Sequence, residues 1–446
     1  MIRRLLLSAA IAALGLPACA ATVAIVNAHI LGTAGGEIAS GTVVITDAKI
    51  TAVGANVSAP AGARVIDAKG AVVTPGFFAI DSELAAVEVG ALGSDLKVDN
   101  PDLGAAFDVQ YALDPDSVLL PVARLGGVTR AVVTPQTTAG DAGADDEAAQ
   151  ETAGPKSDAS KAHSLFAGQA AVIHLGRGPE ILVRPKVGMV VPFGRAGASV
   201  AGGARGAEIV ALKAALQDVR DYARGRAAYD RGGFRDLSLS KADLEALIPV
   251  VEGRMPIIAV VHKAADIRAV LKLAREENVR VILSGAEEGW RLAGEIAAAH
   301  VPVLLNPLND RPETFEMLSA SMDNAARLNA AGVLVAIEAS ENTSHRAREI
   351  RYDAGNAVAH GMPYGAALAA ITLNPARIFG VDATSGSIEA GKDADVVIWS
   401  GDPFEPLSRP LAVFVRGDDL PLTSRQLELQ DRYRTLGRPL PPAYSH

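Results

Sequence analysis

The stretch V-V-T-P-G-F-F-A-I-D-S-E-L, residues 72–84, decides how the rest of the sequence is interpreted. It holds two short apolar runs separated by Pro75-Gly76, followed by two carboxylates, Asp81 and Glu83. Side chains on a β-strand alternate between its two faces, so this pair is expected on one side. The two carboxylates are therefore the first candidates for a functional site.

The composition favours a globular protein with a large core. The chain has 446 residues, of which 49% are hydrophobic, and its formal net charge is −9. This length favours one large domain and a smaller one. Nucleic-acid binding is not expected, because it requires clustered Lys and Arg.

The N-terminus is typical of an export signal. Arg3-Arg4 precede an apolar run from Leu5 to Leu16 and a small-residue cleavage site at Ala18-Cys19-Ala20. We predict a signal peptide over residues 1–20 and a periplasmic location. The apolar run is too short to span a bilayer, and no later segment resembles a transmembrane helix. Cys19 is the only cysteine and leaves a lipid anchor open as the alternative.

Short β-branched runs separated by tight turns occupy both ends of the mature chain. Residues 22–70 and 386–399 share this pattern, and 411–416 adds another strand. Neither set would form a stable core alone. We therefore predict one small β-sandwich closed by both ends of the chain.

The middle of the chain alternates apolar strands with amphipathic helices. P-I-I-A-V-V-H (256–262) is followed by R-V-I-L-S-G, P-V-L-L-N and V-L-V-A-I-E-A. Strands this apolar are typical of a parallel sheet buried on both faces. Earlier candidates lie at 127–135, 170–175 and 187–193, and with the run from Val72 there are eight strands. An α/β fold with a (β/α)8 TIM-like barrel is favoured.

The predicted domain organisation follows from these patterns. The barrel occupies residues 73–380 and carries an acidic flexible loop at 137–161, which has no apolar period. The predicted boundaries are 1–20 for the signal peptide, 21–72 and 381–420 for the halves of the β-sandwich, and 421–446 for a C-terminal helix and tail.

Several motifs resemble the amidohydrolase superfamily. V-I-D-A-K-G-A-V-V-T-P-G-F resembles its entry into the barrel, and residues 324–333 and 367–380 resemble its late barrel. G-S-I-E-A-G-K-D-A-D-V-V-I-W (386–399) resembles its return to the sandwich, and residues 207–356 resemble an exported, imidazolonepropionase-like branch. The resemblance implies a metal-dependent hydrolase with His-x-His on the first strand, further His on the fifth and sixth, and Asp on the eighth.

The sequence departs from that ligand pattern at nearly every strand. Asp81 and Glu83 replace the first two His, and the fifth strand keeps only His262. The sixth strand offers Ser284, and the eighth lacks the Asp but has Glu338, Glu341 and His345 nearby. The ordinary binuclear zinc site is therefore not encoded.

The remaining candidates allow an altered site. Asp81, Glu83 and His262 are predicted to hold one divalent ion (Zn, Mn or Mg) or to shuttle protons, and a site without metal is the alternative. Glu338, Glu341 and His345 are the predicted acid–base residues. His174 faces either way on an early strand, and Asn306 is either a pocket donor or a turn residue.

Two functions remain open from the sequence. The first is a hydrolase that acts on non-peptide C–N bonds of a small molecule such as a cyclic amide. The second is a catalytically inactive amidohydrolase-fold pseudoenzyme that serves as a periplasmic binding or assembly protein. The sequence does not indicate an oligomeric state.

Overall fold

The computed structural model describes residues 22–33, 35–88, 95–137, 164–339 and 344–434. The predicted signal peptide with Cys19, loop residues 138–161 and Glu341 lie outside these ranges. Within them, none of the helices combines the length and the hydropathy that a membrane crossing requires.

The two ends of the chain form one eight-stranded sheet. Its strands are β1 (Thr22–Thr33), β2 (Gly36–Thr46), β3 (Lys49–Gly54), β4 (Arg64–Asp67), β5 (Val72–Pro75), β14 (Val396–Trp399), β15 (Pro410–Val415) and β16 (Asp418–Leu420). They pair in the order β16-β15-β14-β5-β1-β2-β3, with β4 beside β1. Antiparallel pairing of β14 with β5 joins the two ends. The strands belong to one hydrogen-bonded sheet, and the predicted β-sandwich is not confirmed.

A second eight-stranded sheet is nearly closed into a barrel. Its strands lie side by side in chain order from β6 to β13. They are β6 (Phe77–Ser82), β7 (Val128–Val133), β8 (Gly168–His174), β9 (Leu182–Pro192), β10 (Ile257–Val261), β11 (Val281–Gly285), β12 (Val303–Leu305) and β13 (Val335–Ile337). A parallel bridge between Ile80 and Glu338 brings the last strand to the first. The predicted α/β fold is confirmed, and the sheet is consistent with a TIM-like barrel.

One strand of the barrel runs against the other seven. β8 pairs antiparallel with both β7 and β9. Only residues 175–181 connect β8 to β9, whereas a crossover between parallel strands needs a dozen residues or more. The expectation of an all-parallel barrel is therefore wrong at β8. His174, at the end of this strand, lies at the amino-terminal end of its neighbours.

The described residues form eleven α-helices, most of which lie in sequence between strands of the barrel. They are α1 (Leu119–Arg124), α2 (Arg195–Val200), α3 (Arg205–Tyr229), α4 (Lys241–Val251), α5 (Ala264–Glu277), α6 (Ala293–Ala298), α7 (Asn324–Ala330), α8 (Ile350–Ala359), α9 (Tyr364–Ala370), α10 (Leu373–Ile378) and α11 (Arg425–Tyr433). In α5, Ile267, Val270 and Leu273 are buried, at a three-residue spacing that places them on one helical face. α11 lies within the predicted C-terminal helical segment.

Side chains along the barrel strands alternate between the interior of the barrel and the surrounding helices. Phe78 and Ile80 belong to one buried cluster with Val132, Ile258, Ile282, Leu304 and Ala336. Their neighbours Phe77, Ala79, Val133 and Ala259 belong to the cluster under the helices. On each strand, the alternate side chains that point into the barrel therefore end, at the carboxyl end of the strand, with a residue at the mouth of the barrel.

A buried ion-pair network joins the barrel to the terminal sheet. The guanidinium of Arg130, on β7, donates to Asp395 at 2.6 Å through Nε and to Asp393 at 2.5 Å. Burial disfavours the charged form of Arg130, but the charges of Asp395 and Asp393 outweigh it and raise its pKa. At the same junction Trp399 stacks on Phe77 of the barrel, with ring centroids 5.3 Å apart, and its Nε1 donates to Thr74 Oγ1 at 2.9 Å.

Candidate functional site

The inward positions at the carboxyl ends of five barrel strands are polar. They are Thr134 after β7, His262 after β10, Ser284 on β11, Asn306 after β12 and Glu338 after β13. A cavity of about 230 Å³ opens here and is lined by Asp81, Lys97, Thr134, Pro135, Gln136, Thr137, Val190, Ile258, Val260 and Ser284. This cavity is the candidate site.

A bulge in β6 turns Asp81 toward the cavity. Ala79 pairs with Ala131 and Ser82 pairs with Val133, so β6 holds one extra residue between the two pairs. Asp81 takes a left-handed backbone conformation with φ +52°, which is uncommon for a residue other than glycine. The regular alternation from which Asp81 and Glu83 were predicted to share a face is therefore interrupted.

Glu83 lies beside the cavity rather than on its lining. Its carboxylate accepts a hydrogen bond from the Gln136 side chain. Burial raises the pKa of Glu83 to about 7, and the negative charge of Asp81 contributes to the shift. The two carboxylates are thus close enough to interact electrostatically, while Asp81 lines the cavity and Glu83 does not.

Glu338 is buried at the seam that closes the barrel. Its side chain accepts a hydrogen bond from Ser284 Oγ at 2.6 Å, and only 6% of the residue is exposed. Burial raises the pKa of Glu338 well above its usual value, and the charge of Asp81 adds to this effect. Glu338 therefore tends to hold a proton near neutral pH.

His262 is held by a carboxylate that sequence reasoning missed. Its Nδ1 lies 2.7 Å from an oxygen of Glu287, which is buried in the turn after β11. Burial disfavours the charged imidazolium, but the charge and hydrogen bond of Glu287 outweigh this and raise the pKa of His262. The turn L-S-G-A-E-E contains this acid two residues after the strand, where it could have been recognised.

A second buried acid, Asp310, interacts electrostatically with Glu287. Asp310 is fully buried and accepts a hydrogen bond from Asn324 Nδ2 at 3.1 Å. Burial raises the pKa of Asp310 to about 9, and the charge of Glu287 contributes. Asp310 is therefore protonated in the folded protein under neutral conditions.

We predict that Asp310→Asn stabilises the protein increasingly as the pH rises. The unfolded carboxyl loses its proton near pH 4 while the folded one keeps it to about 9. Between these two pKa values the folded protein binds more protons at this carboxyl than the unfolded chain does. The free energy of unfolding of the wild type therefore falls by at most about 1.4 kcal/mol per pH unit. Urea unfolding at pH 5.5 and 8 measures the change, and the exposed Asp236→Asn is the control. A difference between Asp310→Asn and wild type that does not grow with pH would contradict the buried protonated carboxyl.

The described residues do not fit the family's metal centre. Among them, no three His, Cys, Asp or Glu side chains are arranged to hold a metal ion. Nδ1 of His262 is engaged by Glu287, and Ser284 stands where the sixth-strand ligand is expected. The predicted single ion shared by Asp81, Glu83 and His262 is therefore not supported.

The other predicted site residues are not among the described residues that line the cavity. His345 is exposed in the turn Ser344–Glu349, and Glu341 is outside the described residues. His174 lies at the opposite end of the barrel, where its ring contacts Glu180 O at 2.8 Å. Asn306 Oδ1 accepts from the Leu308 amide at 2.8 Å, which is ordinary turn chemistry.

Part of the chain is similar in sequence to known amidohydrolases. Residues 295–421 match the model of the amidohydrolase family. Over 84 residues the chain is 37% identical to "Amidohydrolase tasK" of Hapsidospora irregularis, which corresponds to 19% of this chain and 9% of that protein. The chain thus matches only a small part of this curated relative.

Solved structures share the fold. An amidohydrolase from Thermotoga maritima has a TM-score of 0.76 at 23% identity, and the match covers 90% of this chain and 99% of that one. Molinate hydrolase has a TM-score of 0.52 at 18% identity, with 90% and 95% covered. At these identities the likeness concerns the fold alone.

Proposed function

We propose that the chain is a hydrolase of the amidohydrolase superfamily that cleaves a non-peptide carbon–nitrogen bond of a small molecule, such as a cyclic amide, by acid–base catalysis. The observation that carries the proposal is the pair of carboxyl groups at the barrel mouth. Asp81 lines the cavity, while Glu338 is buried beside it and bonded to Ser284. Two carboxyl groups in unequal environments are suited to opposite proton-transfer roles.

Each carboxyl group has one role in the proposed reaction. Asp81 accepts a proton from a water molecule whose oxygen forms a bond to the amide carbon. Glu338, which tends to keep its proton, donates that proton to the nitrogen as the C–N bond breaks. An open-chain amide gives a carboxylic acid and an amine, and a cyclic amide gives one ring-opened molecule that carries both groups. The two carboxyl groups then exchange their proton through water to restore the starting state.

The proposed role of His262 is to orient and polarise the substrate carbonyl. The hydrogen bond to Glu287 fixes the ring and favours its protonated form. A protonated imidazole donates a hydrogen bond to an oxygen on which negative charge develops. Because the described residues do not fit a metal centre, no step of the proposal is assigned to a metal ion.

Product formation from a substrate panel tests this proposal. Five- and six-membered cyclic amides and their open-chain counterparts are incubated with the protein, and release of carboxylate and amine is followed by NMR. Wild type is expected to hydrolyse at least one class, Asp81→Asn to lose the activity, and Asp236→Asn to keep it. Hydrolysis that is equally fast in Asp81→Asn would overturn the assignment of the base.

We predict that kcat declines as the pH rises above neutral. The proton on Glu338 is required for departure of the nitrogen, and it is lost as the pH passes the raised pKa of this group. The pH profile of kcat between pH 6 and 10 measures the effect, with circular dichroism at each pH as the control for folding. A rate that rises steadily to pH 10 would exclude Glu338 as the acid.

The second candidate function is a pseudoenzyme that binds a ligand at the same cavity. It is favoured by the replacement of the family's histidines and by the poor fit of the described residues to a metal centre. Ligand binding without turnover of any member of the panel would favour it over the hydrolase. For either function we propose the periplasm as the location, on the basis of the signal peptide predicted for residues 1–20.

A further inference from the structure

A groove of about 920 Å³ lies at the amino-terminal ends of barrel strands β11, β12 and β13. It is lined by residues that enter these strands, such as Val279, Pro302 and Leu334, and by the carboxyl ends of α5 and α6. The candidate site lies at the opposite ends of the same strands, where Ser284 and Glu338 are found. The groove is therefore separate from that site, and binding there is independent of the proposed function.

Basic side chains outnumber acidic ones in this groove. The basic members of the described lining are Arg268, Lys272, Arg275, Arg280, His300 and Arg377, and the acidic member is Glu295. The carboxyl ends of α5 and α6 add about half a negative charge each. With His300 neutral, the groove keeps a net charge of about +3. Positive charge is therefore concentrated here, in a chain whose formal net charge is −9.

Three of the arginines belong to different elements. Arg275 is in the last turn of α5, Arg280 is in the connection from α5 to β11, and Arg377 is in α10. All three are exposed, and no carboxylate of the described residues forms an ion pair with them. Their N–H groups are thus available, and the planar guanidinium matches the oxygens of phosphate and carboxylate groups.

The other positive charges are partly compensated. Arg268 is paired with Glu295 at 2.9 Å, and Lys272 lies 3.7 Å from a carboxylate of its own helix. Arg377 acts electrostatically on Glu389 without pairing with it. A single cation complements the carboxyl end of a helix, so three arginines from three elements exceed that role.

The floor of the groove is apolar. Val281, Ile282, Val301 and Ile378 line it and are buried. The volume is within the range of about 300 to 1,000 Å³ that is usual for small-molecule sites, which likewise combine an apolar lining with a few polar groups. The shape and the lining therefore suit a compact molecule with a carbon skeleton.

We propose that this groove binds a small organic polyanion, a molecule with two or more phosphate or carboxylate groups on a compact carbon skeleton. Its anionic groups accept hydrogen bonds from Arg275, Arg280 and Arg377, and its skeleton contacts the apolar floor. Because the three arginines come from separate elements, the bound anion joins these elements and stabilises the folded protein.

Matched probes test the charge of the ligand. Citrate is compared with its neutral triethyl ester, and fructose 1,6-bisphosphate with fructose, by calorimetry and thermal unfolding of the full-length protein. Sulfate and vesicles of phosphatidylglycerol are tested alongside, all at an ionic strength of about 0.1 M, where attraction over more than about 10 Å is screened. At least one polyanion is expected to raise Tm and to bind about tenfold or more tightly than its neutral partner and than sulfate.

Variants locate the binding. Arg275→Gln/Arg280→Gln is expected to weaken the polyanion by about tenfold or more, because charge-assisted hydrogen bonds are lost. Arg409→Gln/Arg425→Gln removes the same charge from exposed positions outside the groove and is the matched control. Glu295→Gln removes the acid of the lining and is expected to tighten binding about twofold to fivefold. Thermal unfolding of each variant without ligand confirms that it is folded.

Three results would overturn the polyanion site. The first is equal weakening in the two double variants, which would show attraction to the surface charge in general. The second is equal affinity for a polyanion and its neutral partner, or no binding of either polyanion. The third is binding to the phosphatidylglycerol vesicles alone, which would assign the basic groove to a membrane surface instead of a free molecule.

Discussion

Glu338→Gln is expected to lower kcat by about 10²- to 10⁴-fold, the range typical for loss of a general acid. The amide keeps the size of the side chain and still accepts the hydrogen bond from Ser284 Oγ. It has no acidic proton to give to the departing nitrogen. Steady-state kinetics with the fastest substrate of the panel measure the change.

Control experiments distinguish loss of the acid from loss of structure. Ser284→Ala removes the hydrogen bond to Glu338 but not its proton, so it is expected to retain a larger share of kcat. Thermal unfolding of both variants tests whether the barrel is intact. A folded Glu338→Gln protein with wild-type kcat would remove Glu338 from the mechanism.

Arg130→Met is expected to reduce the free energy of unfolding by about 3 to 5 kcal/mol, because it leaves buried carboxylates without their cation. Arg130 is buried beneath the barrel, where it bonds Asp395 and Asp393. Asp393 keeps its ion pair with Lys49 at 2.7 Å, whereas Asp395 keeps a hydrogen bond from the neutral Arg416 amide at 2.8 Å. Urea unfolding at pH 7 measures the loss.

An exposed ion pair supplies the control for Arg130. Arg64 pairs with Asp419 at 2.7 Å on the surface of the terminal sheet. Arg64→Met is expected to change stability by about 1 kcal/mol or less, because solvent screens the pair. Equal effects of the two substitutions would show that the buried network does not hold the barrel to the sheet.

Much of the fold could be predicted because its signals are local. Apolar runs such as Ile257–Val261 and Val281–Gly285 identify strands without knowledge of their partners. The direction of β8 was missed because an apolar strand has the same composition in either direction. The seven-residue connection after His174 was the available signal, since it is too short for a parallel crossover.

The candidate site was predictable only in part. His262 and Glu338 were found because each follows directly after an apolar strand. The orientation of Asp81 depends on a bulge and a left-handed φ, which follow from pairing with β7 rather than from the sequence of β6. Thr134 and Glu287 could be assigned to the site only from the structure, because Thr134 lines the cavity and Glu287 is hydrogen-bonded to His262.

The proposed hydrolysis depends on the carboxyl groups at the barrel mouth rather than on a metal ion. The most direct measurement is the hydrolysis rate of protein dialysed against a chelator, with its metal content determined on the same sample. Metal-depleted wild type is expected to keep its rate, and metal-depleted Glu338→Gln to lose it. A metal-depleted wild type that is inactive and regains its rate with Zn²⁺ or Mn²⁺ would contradict the claim.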